Sequence, residues 1–206
     1  MDAESLDPLT RADLAPGAVL ERGHLDGARL DDMTAPDVHL LECLVSDCQG
    51  GACHLPGLRA TGTAIVGSSF ATLDAPGATI FSGRIEGVRV GVLNLTVAEV
   101  SVFRIVSSRI DVLSLSGAKV SRLEIIDSRI GLLDLRSARL REVTVTGGSV
   151  AELVPTLQRE RGLDVSRTQL DLVTEPSGLR GMTVSQQQAL AWGPQLAAHL
   201  GATVVD

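Results

Sequence analysis

An apolar residue recurs at every fifth position from Leu20 to Val150; of these 27 positions 26 are apolar, and the exception is Gly50. Two residues before each stands a second set, mostly Ala, Ser, Cys, Gly, Val or Leu, and neither set carries a charge. No regular helix or strand produces that spacing. Five residues of α-helix advance about 500°, which scatters successive members round the axis. Five residues of strand put every second member on the opposite face. The register demands a chain that turns a corner every five residues, as in a repeat solenoid.

Four pentads form a twenty-residue repeat. Val92-Leu93-Asn94-Leu95 recurs as Val112-Leu113-Ser114-Leu115 and Leu132-Leu133-Asp134-Leu135, and Ala15-Pro16-Gly17-Ala18 recurs as Ala75-Pro76-Gly77-Ala78. A twenty-residue repeat of five-residue units implies a coil with four sides, and residues 12–151 supply seven such coils. At a coil spacing of about 4.8 Å the stack would be roughly 34 Å long. Among the inner residues, Leu93, Leu113 and Leu133 alternate with Phe103, Leu123 and Val143, ten residues away. Ala98, Ala118 and Ala138 lie between them, as do Ser108, Ser128 and Gly148. Ten residues is half a coil, so two facing sides carry large inner residues and two carry small ones, which matches volumes across a narrow core.

Ala28-Arg29-Leu30, Ala118-Lys119-Val120 and Ala138-Arg139-Leu140 resemble the alanine-polar-leucine motif of pentapeptide-repeat proteins. The resemblance covers residues 12–184, with many Val and Ile centres and few Asp or Asn before them. It implies an all-β solenoid, a right-handed quadrilateral parallel β-helix with the leucine-type and small residues inward. It also implies a non-enzymatic binding protein, since some members act on DNA gyrase and other type II topoisomerases as acidic mimics of duplex DNA and protect against gyrase poisons. The alternative is an interaction scaffold unrelated to DNA topology.

The expected organisation is a repeat domain over residues 1–184, with an N-terminal cap over about 1–14 and an outward loop at 155–162 where Gln158 and Glu160 break the register. A helical module follows over 185–206. Ser185 and Gln188 form a capping box that opens one short helix, Gly193-Pro194 breaks it, and a second helix ends near Gly201. Leu190, Trp192, Leu196 and Leu200 give this module an apolar surface that covers the end of the stack. The family resemblance adds a homodimer through the same cap.

Charge is unevenly placed within a net of −7: residues 1–50 hold eleven acids and three bases, whereas residues 51–150 hold eight acids and eleven bases. The acidic, non-apolar N-terminus and three cysteines, with no export signal, point to a soluble cytoplasmic protein without a membrane span.

Candidate chemistry is sparse. Cys43, Cys48 and Cys53 all occupy small inward positions on successive sides, which suits buried hydrophobes better than metal ligands. His24, His39 and His54 face outward on different sides and read as isolated surface residues. The chain lacks a P-loop, a dinucleotide fingerprint and a G-x-S-x-G elbow, so neither cofactor, metal nor catalytic residue is expected. The sharpest surface feature is the column Arg89, Arg109 and Arg129, one coil apart, with Asp111 and Asp127 at hand as counter-charges. It reads either as a solvated, salt-bridged face or as a docking stripe for an acidic protein partner or phosphate groups; no direct binding of nucleic acid is expected. Val92, Val112 and Leu132 form a second, apolar column.

Overall fold

The computed structural model describes residues 3–156 and 162–203. The chain is a parallel β-solenoid of about nine turns, closed at its C-terminal end by two short helices. Strand pairing carries the twenty-residue register: Gln49 lies beside Ser69, Ser69 beside Arg89, Arg89 beside Arg109 and Arg109 beside Arg129, all in parallel ladders. Nine turns at about 4.8 Å give a rod roughly 43 Å long.

Two turns more than the seven read from residues 12–151 therefore belong to the stack. At the start, Asp7–Leu9 pairs with Gly23–Asp26 at a step of sixteen residues, so the strict pattern missed it. At the end, Leu163–Val173 pairs beside Arg139–Val154, and Met182–Thr183 pairs beside Leu163 at a step of nineteen. The register slips between Thr146 and Ser149, where Gly147 and Gly148 both take positive φ. A side chain at Gly148 would collide with the Ser128 backbone, so only glycine fits there. Of the expected loop at 155–162, residues 157–161 lie outside the described residues.

Corner chemistry follows from backbone geometry. From Gly57 onward a left-handed residue reverses the chain at three corners per turn, as at Gly77, Ser82 and Gly87 or Gly117, Arg122 and Asp127, with φ between 47° and 68°. Gly, Asp and Ser dominate these corners because they tolerate that region best. At the fourth corner, through Thr72, Val92, Val112 and Leu132, φ is not positive and a strand runs through, as in Arg89–Asn94 and Arg109–Ser114. That corner accepts β-branched residues. This explains the apolar column: Val92 is 37% exposed, and Val112 and Leu132 are half-buried.

Inside, the alternation of large and small sides holds from Phe103 onward. Earlier in the chain the side carrying Phe103 instead holds Gly23, Cys43, Thr63 and Gly83. An apolar cavity of about 70 Å³, lined among others by Ala60, Thr63, Ala75, Gly83 and Phe103, marks the changeover. The two inward phenylalanines each lie over a glycine of the preceding turn. Gly50 is the partner of Phe70 and Gly83 that of Phe103. A Cβ on Gly50 would stand 2.9 Å from the Phe70 ring, and one on Gly83 2.9 Å from the Phe103 ring. The single exception to the apolar register is thus a seat for an aromatic ring.

The last turn lacks a successor, and the helices α1 (Gln186–Ala191) and α2 (Gly193–His199) replace it. Ser185 and Gln188 cap α1 reciprocally, with the Ser185 N–H donating to Gln188 Oε1 at 2.7 Å. The Gln188 amide donates to the carbonyls of Val165 and Thr168 at 2.8 and 2.9 Å, and the Gln195 amide to that of Val173 at 2.8 Å. These are carbonyls that another coil would have bonded. Trp192 is 4% exposed and seals the core beneath them.

Candidate docking face

One side of the rod carries the arginine ridge. Arg89, Arg109 and Arg129 each open a strand, lie in register and are exposed. Neighbouring guanidinium groups at about 4.8 Å would repel by roughly 0.9 kcal/mol in water before screening. Arg109 relieves part of this through Asp111, at 3.4 Å between Nε and Oδ1. Arg89 and Arg129 make no ion pair among the described residues. The expected counter-charge Asp127 makes none either; it turns the corner in the left-handed region with φ 47°. Arg29 lies further along the same column, beyond Gln49 and Ser69, and pairs with Asp31 at 2.9 Å.

Beside the ridge runs a groove of about 580 Å³, lined by Ser69, Gly87, Ser107, Asp111 and Asp127 together with the three arginines. Its floor is kept low by Gly91, where a Cβ would approach the Ala71 carbonyl oxygen to 2.5 Å. Directly beneath the ridge, Ser108 and Ser128 are buried. Their hydroxyls donate to Val106 and Ile126 carbonyls at 2.8 Å and accept from the Val88 and Ser108 N–H groups. Those serines are committed to the backbone.

Three cations of the ladders on other sides are neutralised internally. Arg84 pairs with Glu86, Arg104 with Glu124 at 2.6 Å, and Lys119 with Glu99 at 2.6 Å. The hydrogen bond from Lys119 holds the Glu99 carboxyl below its ordinary value. Arg139, the next rung beyond Lys119, makes no ion pair among the described residues; the ridge differs in holding three arginines in register, of which the two outer ones lack such a partner.

Cys43, Cys48 and Cys53 are buried free thiols facing the core. Each donates to the carbonyl of the apolar centre residue 23 positions earlier: Leu20, Leu25 and Leu30. Burial pushes the Cys48 thiol up and that of Cys53 to about 11. Among the described residues no cluster of His, Cys, Asp and Glu is arranged to hold a metal ion. The histidines need correction, because His24 and His54 are not isolated. His54 pairs with Asp74, one turn on in sequence, and Asn94 one turn further donates to Asp74 at 2.7 Å. His24 lies 2.7 Å from the Ser46 hydroxyl, which donates to Asp26 at 2.5 Å. The signal in the sequence was the spacing of twenty between residues 54, 74 and 94.

A second feature escaped the linear reading. Asp32, Asp37, Glu42 and Asp47 occupy four successive left-handed corners, with φ between 49° and 54°. They ring the rod near its N-terminal end with carboxylates. At the other end the four apolar cap residues divide: Trp192 and Leu196 pack on the core, whereas Leu190 and Leu200 are 72% and 83% exposed. No helix of the described residues is long and apolar enough to cross a membrane.

No protein-family model matches the chain, and no curated protein matches it. Three solved structures of QnrB1, a plasmid-mediated fluoroquinolone resistance protein, are similar to it. Two trypsin-treated variants share 15% identity at a TM-score of 0.38, covering 97% of this chain and 96% or 95% of theirs. The full-length form shares 15% identity at a TM-score of 0.31, covering 92% of this chain and 94% of that one. The fold is a β-solenoid. That assignment stands on the chain's own strand pairing and corner geometry.

Proposed function

We propose that the chain is a divergent pentapeptide-repeat protein that works by binding a protein partner, without catalysis, as a rigid cytoplasmic rod. The observation that carries this reading is the ridge: three guanidinium groups held in register, with Arg89 and Arg129 lacking an internal counter-charge. A stability role would favour pairing such as that of Arg104 with Glu124 or Lys119 with Glu99. Leaving these two open favours an acidic surface supplied from outside. The test is photocrosslinking in cells with a benzophenone side chain at Ser69 in the ridge groove or at Ser121 on the opposite side. A discrete adduct at Ser69 supports the reading, and absence of adducts at both positions overturns it.

A second reading, protection of a type II topoisomerase by DNA mimicry, is favoured by the carboxylate ring at Asp32, Asp37, Glu42 and Asp47. The exposed ridge weighs against it, because a mimic of duplex DNA needs an unbroken acidic face. A gyrase supercoiling assay titrated with the protein and a quinolone separates the two. Protection that disappears when these four acids become Asn or Gln supports mimicry, and no effect on gyrase excludes it. Dimerisation through the cap belongs to the same proposal and now rests on Leu190 and Leu200, since Trp192 is occupied by the core. Light scattering of Leu190→Ser/Leu200→Ser is the check: a dimer mass that persists removes the cap as the interface.

A further inference from the structure

We propose that the groove beside the arginine ridge takes an extended acidic segment of the partner protein, with two carboxylates three residues apart. This rests on the reading of the chain as a binding protein and names the chemistry of the bound element. Arg89 and Arg129 are two turns apart, about 9.6 Å at the coil spacing; in a polyproline II segment, which returns to the same face every third residue, three residues span about 9.3 Å. Between them Arg109 is already held by Asp111. The unmet charge therefore sits at two points and not along a line. A guanidinium fork binds a carboxylate through two parallel hydrogen bonds, which suits discrete acids better than a diffuse negative surface.

The groove fits such a segment in size and lining. It runs from Ser69 to Arg129, three turns or about 14 Å, which accommodates four to five extended residues. Gly87, Ser107 and Gly91 leave its walls and floor without bulky side chains, and Ser69 and Ser107 add small polar side chains to its lining. Asp111 and Asp127 border the same groove. They repel a continuous row of phosphates, whereas a peptide with neutral residues between its two acids passes between them. Duplex DNA is disfavoured on that ground.

The test is fluorescence anisotropy with a labelled octapeptide of Gly and Ser carrying Asp at its third and sixth positions. Saturable binding is expected. It should weaken at least about tenfold in the double variant Arg89→Gln/Arg129→Gln, as the loss of two charge-assisted contacts requires. Arg59→Gln, on a different side, should leave it unchanged, and circular dichroism should find both variants folded. Moving the two Asp to adjacent positions should weaken binding at least about threefold, and added salt should weaken it further. Equal binding of the peptide with Asn for both Asp, indifference to the double variant, or no saturation overturns the proposal. A short DNA duplex that binds more tightly and displaces the peptide also overturns it, in favour of nucleic acid. Failure here with a Ser69 crosslink in cells removes only this bound element; failure of both removes the binding reading as well.

Discussion

Gly50→Ala tests whether Phe70 and the glycine beneath it are one packing unit. The added methyl would stand 2.9 Å from Cδ1 of Phe70, 3.0 Å from Sγ of Cys53 and 3.1 Å from the Leu30 carbonyl oxygen. Phe70 is 4% exposed and Cys53 1% exposed, so neither can swing toward solvent. The backbone itself accepts alanine, because Gly50 is not among the residues of positive φ. On that ground alone the change would stabilise by about 0.4–1 kcal/mol through the unfolded chain. Overpacking a closed core costs about 1–3 kcal/mol. Overpacking wins, and the net loss is about 1–2 kcal/mol.

For a chain of this length each kcal/mol moves Tm by about 2–4 °C, so Tm should fall by about 2–8 °C. Far-ultraviolet circular dichroism follows the whole rod, while Trp192 fluorescence reports the distant cap. In a solenoid each turn contacts only its neighbours, so the N-terminal part should soften more than the cap. Phe70→Leu alone also destabilises, by about 1 kcal/mol for the lost contacts. In the double variant the shortened side chain vacates the space the methyl needs. The pair should therefore be less destabilised than the sum by at least about 1 kcal/mol. A Gly50→Ala protein that melts higher than the parent would refute the reasoning, as would strict additivity in the cycle.

Other substitutions probe the corners, the cap and an ion pair between a buried carboxylate and an exposed guanidinium. Val97 is a β-branched residue at φ 57° and 66% exposed, so Val97→Asn should relieve strain and raise Tm by about 2–4 °C for about 1 kcal/mol; a fall would show that Val97 makes contacts outweighing its backbone cost. Gln188→Ala strips hydrogen bonds from the Val165 and Thr168 carbonyls and breaks the Ser185 capping box, and should cost about 2–3 kcal/mol with a red shift of Trp192 emission. The Arg136 side chain holds the Asp134 carboxyl below its ordinary value, with the Asp134 side chain 7% exposed. The folded state therefore prefers the ionised form, and this stabilisation is complete above about pH 4 and is lost as pH falls through the lower folded value. Arg136→Ala should lower stability near neutral pH and flatten the acid limb of the stability curve; an unchanged limb refutes the assignment.

The fold was legible because each turn repeats one constraint. Residues such as Leu93, Leu95, Ala98 and Val100 face inward in every coil, and twenty-residue spacing alone announces which side chains stack. The two irregular ends were harder to read: Asp7–Leu9 and Met182–Thr183 join the stack at steps of sixteen and nineteen. The site was legible in part. A column of three arginines can be read from a line of sequence, but whether each has a counter-charge depends on side-chain reach. Asp111 reaches Arg109, whereas Asp127 is committed to a corner. Gly50 shows the same limit in the core. As an isolated lapse it carried no meaning until Phe70 was placed on top of it.

These constraints divide the chain into positions that build and positions that are free. In each turn of twenty, eight residues face inward and must be apolar or small, and three or four sit at left-handed corners where Gly, Asp or Ser is favoured. The carboxylate ring at Asp32, Asp37, Glu42 and Asp47 is therefore ambiguous in origin, since aspartate is also a good left-handed corner residue. The arginines are not. Positions 89, 109 and 129 lie on a straight outward strand face where Gln49, Ser69 and Ser149 serve equally well in neighbouring turns. Neither backbone geometry nor core packing asks for arginine there, and repulsion within the column opposes it. A costly choice at an unconstrained position is best explained by something outside the rod, which is why the ridge and not the acidic ring carries the functional reading.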